Sequence, residues 1–140
     1  MVRIDVRYEG ELRTRARHAP SGAELLTDAP VDNQGLGRSF SPTDLLATAL
    51  GTCILTLMGI AARREGLELS GATASVEKVM GAVPRRHISR LIVELHVPHD
   101  PGEAGRRTLV EAAEGCPVHA SLGPLTHVEL RWHWGEAAAP

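Results

Sequence analysis

The sequence predicts an α+β fold in the order βββ-α-ββ-α-α-β, one domain over residues 1–140 built round a long buried central helix. Three observations carry that prediction. Val2, Ile4 and Val6 alternate with charged residues, the period-two pattern of a strand. Leu45 to Ala62 is rich in apolar residues and follows a helix-capping signal, so it reads as a helix. Leu91, Val93, Leu95 and Val97 alternate with Arg90, Ile92, Glu94 and His96, which marks a half-buried strand.

Taken in order, the first strand ends at the Tyr8-Glu9-Gly10 turn. A second runs from Glu11 to His18, and Pro20-Ser21-Gly22 turns the chain into a third over Ala23–Thr27, making an antiparallel meander. Ala29 to Ser39 carries Pro30, Asp32, Asn33, Gly35 and Gly37 and is a loop. Ser41 then serves as N-cap, Pro42 takes the first helical position, and Asp44 completes a capping-box-like pattern. The helix continues to Glu65, with Arg63 and Arg64 at its negative end and Gly66 as the stop. Its middle is apolar on nearly every face, which predicts burial all round. A chain of 140 residues cannot easily surround such a helix, so a partner subunit is expected to cover part of it.

Leu67–Met80 and His87–Val97 are two long strands joined as a hairpin through Gly81–Arg86. Asp100-Pro101-Gly102-Glu103 opens a helix from Pro101 to Glu114, and Gly115 ends it. Cys116-Pro117 starts a short helical turn through Leu122, and Thr126–Trp134 is the last strand.

Composition narrows the function. The net charge of -2 supplies no basic field for nucleic acid, and Tyr8, Phe40, Trp132 and Trp134 are too few for base-stacking platforms. The start, MVRIDVRYEGELR, has no apolar stretch that could act as a signal peptide. Thr48, Gly51, Thr52, Thr56 and Gly59 interrupt the apolar segment, which therefore reads as a core helix and not a membrane span. The expectation is a cytoplasmic protein, with neither nucleic acid nor membrane as partner. In that compartment two cysteines do not form a permanent disulfide, whereas a transient catalytic one is allowed.

Cys53 and Cys116 are the residues with chemistry to offer. Cys53 sits mid-helix among apolar residues, where a thiol often acts as a small hydrophobe and where its pKa rises. To become a nucleophile it needs a cation or hydrogen-bond donor from elsewhere. Cys116 follows Gly115 and precedes Pro117, an N-cap-like place whose free N–H groups favour a thiolate. The pair forms no CxxC motif. A zinc site built on Cys116 and His119, with Cys53 and His18, has one close pair where structural zinc uses two, so no metal is expected. His87, His96, His99, His127 and His133 fall on strands or loops and read as solvated. Hydrolase, Walker-type and dinucleotide motifs are missing.

Ser41-Pro42-Thr43-Asp44-Leu45-Leu46-Ala47-Thr48-Ala49-Leu50-Gly51-Thr52-Cys53 resembles the first cysteine helix of the OsmC/Ohr family, the osmotically inducible and organic hydroperoxide resistance proteins. Glu114-Gly115-Cys116-Pro117-Val118 resembles the segment holding that family's second cysteine, and the order of elements agrees over nearly the whole chain. The resemblance implies an intertwined homodimer with two sites at the subunit interface and no cofactor. It implies that Cys53 attacks a hydroperoxide substrate and becomes a sulfenic acid, and that Cys116 resolves it to a disulfide. An external dithiol reductant then reopens that disulfide. One position departs from the pattern. Where the well-studied branch has a glutamate ten residues before the first cysteine, this chain has Thr43, with Asp44 beside it. Asp44 reads first as the helix cap. The family's arginine partner falls among Arg13, Arg15 and Arg17, with His18 as another candidate support for the thiolate. The chain thus resembles a divergent OsmC-like member. A non-enzymatic module binding a small hydrophobic ligand at the dimer interface is the competing expectation.

Overall fold

The computed structural model describes residues 1–140. The chain divides into two compact units, Met1–Leu46 and Ala47–Pro140.

The first unit is an antiparallel sheet of β1 (Ile4–Gly10), β2 (Arg13–His18) and β3 (Glu24–Asp28), in the order β1-β2-β3. The meander expected from the alternation is present. Its register gives the sheet two unlike faces. Arg17 lies opposite Asp5 on one side and Glu24 on the other, and Arg15 lies opposite Arg7, so one face is an ionic ladder. Ile4, Val6, Tyr8 and Leu25 fall on the other face, and they are 61%, 64%, 65% and 44% exposed.

Residues 29–40 form a strap after β3 with a single 3-10 turn at Val31–Asn33. The strap folds back on itself through Gly35 N–H to Pro30 O at 3.0 Å and Gly37 N–H to Ala29 O at 3.2 Å. Only glycine fits at position 35, because a Cβ there would lie 1.7 Å from Ala29 O.

The long helix, α1 (Pro42–Glu65), begins as the sequence predicts. Asp44 Oδ2 accepts the Ser41 N–H at 2.8 Å while Ser41 Oγ accepts the Asp44 N–H at 3.1 Å, a reciprocal capping box.

In the second unit α1 lies with an ordered sheet of β4 (Thr73–Gly81), β5 (His87–Val97) and β6 (His127–Trp134), in the order β4-β5-β6. β4 and β5 are the expected antiparallel hairpin, while β6 runs parallel to β5. The return passes through α2 (Gly102–Glu114) and α3 (Pro117–Ala120), a crossover of the kind that parallel pairing requires. Leu91, Val93, Leu95 and Val97 are fully buried, on the face the alternation selects.

Several expectations need correction. β4 starts at Thr73 and not at Leu67, because Ser70-Gly71 makes a turn with Gly71 at φ +77° and Ala72 N–H bonded back to Leu69 O. α2 starts one residue late: Pro101 is the N-cap, and Asp100 Oδ1 caps from outside by accepting the Gly102 N–H at 3.0 Å. α3 stops at Ala120, short of Leu122. Within the single chain α1 is not buried all round. Leu50, Ile54 and Met58 are fully enclosed, whereas Leu46 and Ile60 are exposed. By length and composition α1 would also pass for a membrane span, yet its enclosed stripe belongs to the core.

The histidines are not uniformly solvated either. His96 and His133, register partners on β5 and β6, stack with centroids 4.3 Å apart, and His96 Nδ1 is buried without a partner. His133 Nε2 and Arg131 Nη1 both engage Glu94, at 2.5 and 3.0 Å, and this holds the Glu94 carboxyl below its usual range.

Candidate functional site

Cys53 is half-buried on α1 and Cys116 is buried ahead of α3. Both are free thiols. They lie 63 positions apart in sequence, and the fold brings them near enough for Cys53 to raise the proton affinity of Cys116.

Two features of the chain produce that proximity. On α1, Cys53 lies beside the enclosed stripe of Leu50, Ile54 and Met58. Gly51 lets the helix approach β4: a Cβ there would stand 2.9 Å from Val76 Cγ2. On the other side, Leu109 and Ala113 are fully buried and seat α2 in the same core cluster. Gly115 closes that helix with its N–H on Glu111 O, and Cys116 follows with its own N–H on Ala113 O at 3.2 Å. Pro117 opens α3, whose first bond runs from Ala120 N–H to Cys116 O at 3.0 Å.

Cys116 is therefore the N-cap that the sequence predicts, but its chemistry is the reverse of the expected thiolate. Burial, the hydrogen bond with Cys53 and repulsion from a Cys53 thiolate raise its pKa, and the Val118 and His119 amides only partly oppose them. Those amides lower the pKa without making a complete side-chain cap hydrogen bond. A turn as short as Pro117–Ala120 has little dipole to set against a side chain that is 1% exposed. Cys116 thus keeps its proton.

The other predicted site residues belong to the first unit. Arg15 is committed to two carboxylates, Glu9 at 2.6 Å and Glu24 at 3.0 Å. Arg17 lines a surface cleft with Asp5, Val6, Arg7, Arg15 and Glu24. Its register neighbours are engaged elsewhere, Asp5 with Arg3 at 2.7 Å and Glu24 with Arg15. His18 Nδ1 shares a proton with Ser21 Oγ at 2.6 Å. Asp44 works as a cap, as described. No group of three histidine, cysteine or carboxylate side chains is gathered in a way that could hold a metal ion.

Sequence reasoning missed Asp28. It is fully buried, and its Oδ2 accepts both the backbone N–H and the Nε of Arg38, at 3.0 and 2.9 Å. Arg38 holds the Asp28 carboxyl below its usual range. The available signal was an acid placed directly after the strand residues Leu25-Leu26-Thr27 and before Ala29-Pro30.

Residues 35–131 match the family of OsmC-like proteins. A crystal structure of a putative osmotic stress induced and detoxification response protein from Psychrobacter arcticus is similar at 42% identity, with TM-score 0.89, covering 95% of this chain and 96% of that one. The organic hydroperoxide resistance protein OsmC from Legionella pneumophila shares the fold at TM-score 0.77 and 15% identity, covering 95% of this chain and 96% of that one. OhrB of Bacillus subtilis does so at TM-score 0.70 and 14% identity, covering 94% and 97%. No curated protein sequence matches the chain.

Proposed function

Because the chain belongs to the OsmC-like protein family, we propose that it is a thiol-dependent reductase of organic hydroperoxides serving oxidative-stress defence. The observation that carries this reading is the closeness of Cys53 to Cys116, which raises the proton affinity of the buried Cys116 thiol. Relatives of the same fold bear the name organic hydroperoxide resistance protein, which supports the same chemistry.

In the proposed reaction the Cys53 thiolate attacks the terminal oxygen of R–O–O–H. The S–O bond forms, the O–O bond breaks, and the alkoxide leaves and takes a proton as R–OH. Cys53 is now a sulfenic acid. Cys116 sulfur attacks the Cys53 sulfur, and the departing hydroxide leaves as water with the Cys116 proton. An external dithiol then reduces the disulfide and is itself oxidised. The protonated, buried state of Cys116 suits this order. It is a poor first nucleophile, and its S–H steadies the neighbouring sulfur until the sulfenic acid forms.

The working unit in this reading is a homodimer in the cytoplasm. Ile4, Val6, Tyr8 and Leu25 on one sheet face, and Leu46 and Ile60 on α1, are apolar side chains left exposed in the single chain. Exposed apolar side chains gathered on one sheet face mark an interaction site, and a second copy is the occupant we assign to it. We assign the cation that Cys53 needs to the second copy, and among the arginines of β2 Arg17 is the better candidate because Arg15 already neutralises two carboxylates.

Mass spectrometry after one equivalent of cumene hydroperoxide tests the proposal. A Cys53–Cys116 disulfide within one chain and loss of turnover in Cys53→Ser are expected. Undiminished turnover in that variant overturns the assignment. Retention of a small hydrophobic ligand by the Cys53→Ser, Cys116→Ser double variant, with no peroxide consumed by the native protein, would identify a binding module instead.

A further inference from the structure

Asp28 presents an arrangement that the thiol chemistry does not use. The carboxylate is fully buried, which is tolerated only when its charge is compensated. Its two oxygens are treated differently. Oδ2 takes both donors of Arg38, whereas Oδ1 is buried with no hydrogen-bond partner. Arg13 stands directly opposite Asp28 in the β2–β3 register, and its Nε is also buried with no partner. An orphaned acceptor and an orphaned donor of opposite charge therefore belong to residues paired across adjacent strands. Arg13 already acts on Asp28 electrostatically.

Arg38 belongs to the strap, and the other ties of the strap run to the same strand end. Asp28 N–H donates to Phe40 O at 3.1 Å, and Ser39 Oγ donates to Leu26 O at 2.8 Å. Glu11 stands 3.9 Å from Arg38 and is 84% exposed at its side chain, so it adds little hold. Val31 and Leu36 on the strap are 74% and 68% exposed, so little apolar burial fastens its outer part.

We propose that Asp28 is a two-position latch for the strap of residues 29–40, with Arg13 as its standby counter-ion. In the closed position Arg38 holds Oδ2. When the strap swings out and Arg38 leaves, Arg13 takes the carboxylate, so no buried charge is stranded. Without that second cation, opening would leave an uncompensated carboxylate, the costly way to break a buried pair. The strap is thereby a local opening unit, able to move without global unfolding. Phe40 adjoins Ser41, so the movement reaches the cap of α1.

Amide hydrogen exchange on the full chain reads the latch directly. The Arg38 N–H donates to Asp28 Oδ2 and the Asp28 N–H to Phe40 O, so both report opening. The Gly35 N–H bonds within the strap to Pro30 O and serves as the control. In Arg38→Gln, exchange at positions 28 and 38 should rise at least tenfold while position 35 changes little. In Arg13→Gln, exchange at position 38 should slow at least fivefold, because opening has lost its second counter-ion. The double variant should lose more thermal stability than the two single losses added together. Faster or unchanged exchange at position 38 in Arg13→Gln overturns the proposal, as do additive losses. If Arg13→Gln fails to fold, Arg13→Lys keeps the charge but shortens its reach. It should slow exchange by a smaller factor, and no slowing there overturns the proposal equally.

Discussion

Replacing Gly51 by alanine tests whether close packing of α1 on β4 sets the position of Cys53. The added Cβ would stand 2.9 Å from Val76 Cγ2 and 3.9 Å from Ala74 Cβ, against an ordinary carbon contact of about 3.5–4.0 Å. Val76 has little room to yield, since its β-branched side chain is stiff and it pairs with the fully buried Val93. Overpacking of this kind costs about 1–3 kcal/mol. Alanine returns about 0.8–1.0 kcal/mol through its better helix propensity, so the net loss is between about 0 and 2 kcal/mol. Gly59 on the same helix is the control, because a Cβ there meets nothing within 4 Å. Gly59→Ala should gain up to about 1 kcal/mol, and the propensity gain cancels between the two variants. Their difference is then the packing cost alone, about 1–3 kcal/mol, or at least roughly 3 °C in melting temperature for a chain of this size. Thermal and urea unfolding at matched protein concentration measure it. A Gly51→Ala protein as stable as Gly59→Ala would refute the close approach. If Gly59→Ala instead lowers a melting temperature that depends on protein concentration, a second copy packs over that face.

Three further outcomes are expected. Because the Cys116 pKa is raised, its contribution to stability is complete below the ordinary thiol value of about 8.5 and is lost as pH rises through the higher folded value. Urea unfolding from pH 8 upward should therefore decline more steeply in the native protein than in Cys116→Ala, and parallel declines would contradict the assignment. The Asp28 pKa is lowered, so its contribution is present above the ordinary carboxyl value of about 3.9 and disappears as pH falls below it. Acid unfolding of Asp28→Asn should accordingly be flatter than that of the native protein in this range, and an identical acid limb would count against Arg38 as its partner. With the resolving thiol removed, Cys116→Ser treated with one equivalent of hydroperoxide should retain a sulfenic acid at Cys53 that a dimedone-type reagent captures. Capture at Cys116 in Cys53→Ser, with none in Cys116→Ser, would reverse the two roles.

Local signals located most of the elements because each has a short-range cause. The Ser41 and Asp44 capping box is written within four residues, and the structure forms it through two mutual hydrogen bonds. The alternation from Leu91 to Val97 selects the buried face of β5 without reference to any other strand. Where local signals failed, a competing local interaction or a distant partner had intervened. The start of β4 was displaced by the Ser70-Gly71 turn, which apolar spacing alone did not reveal. His96 and His133 read as solvated singly, because their stacking depends on a parallel pairing between strands thirty-seven positions apart.

The two cysteines divide along the same line. The sequence by itself determined that Cys53 lies within an apolar helix and that Cys116 caps a short turn behind Pro117, because helix signals and proline act over a few residues. Only the tertiary structure decided that the two thiols are neighbours, and that the cap position carries a retained proton and no ready thiolate. Burial and the neighbouring sulfur set that proton's affinity, and both come from packing between segments far apart in the chain. Asp28 shows the same limit from the other side. A carboxylate at a strand end looks solvated until Arg38 and Arg13 are seen to converge on it.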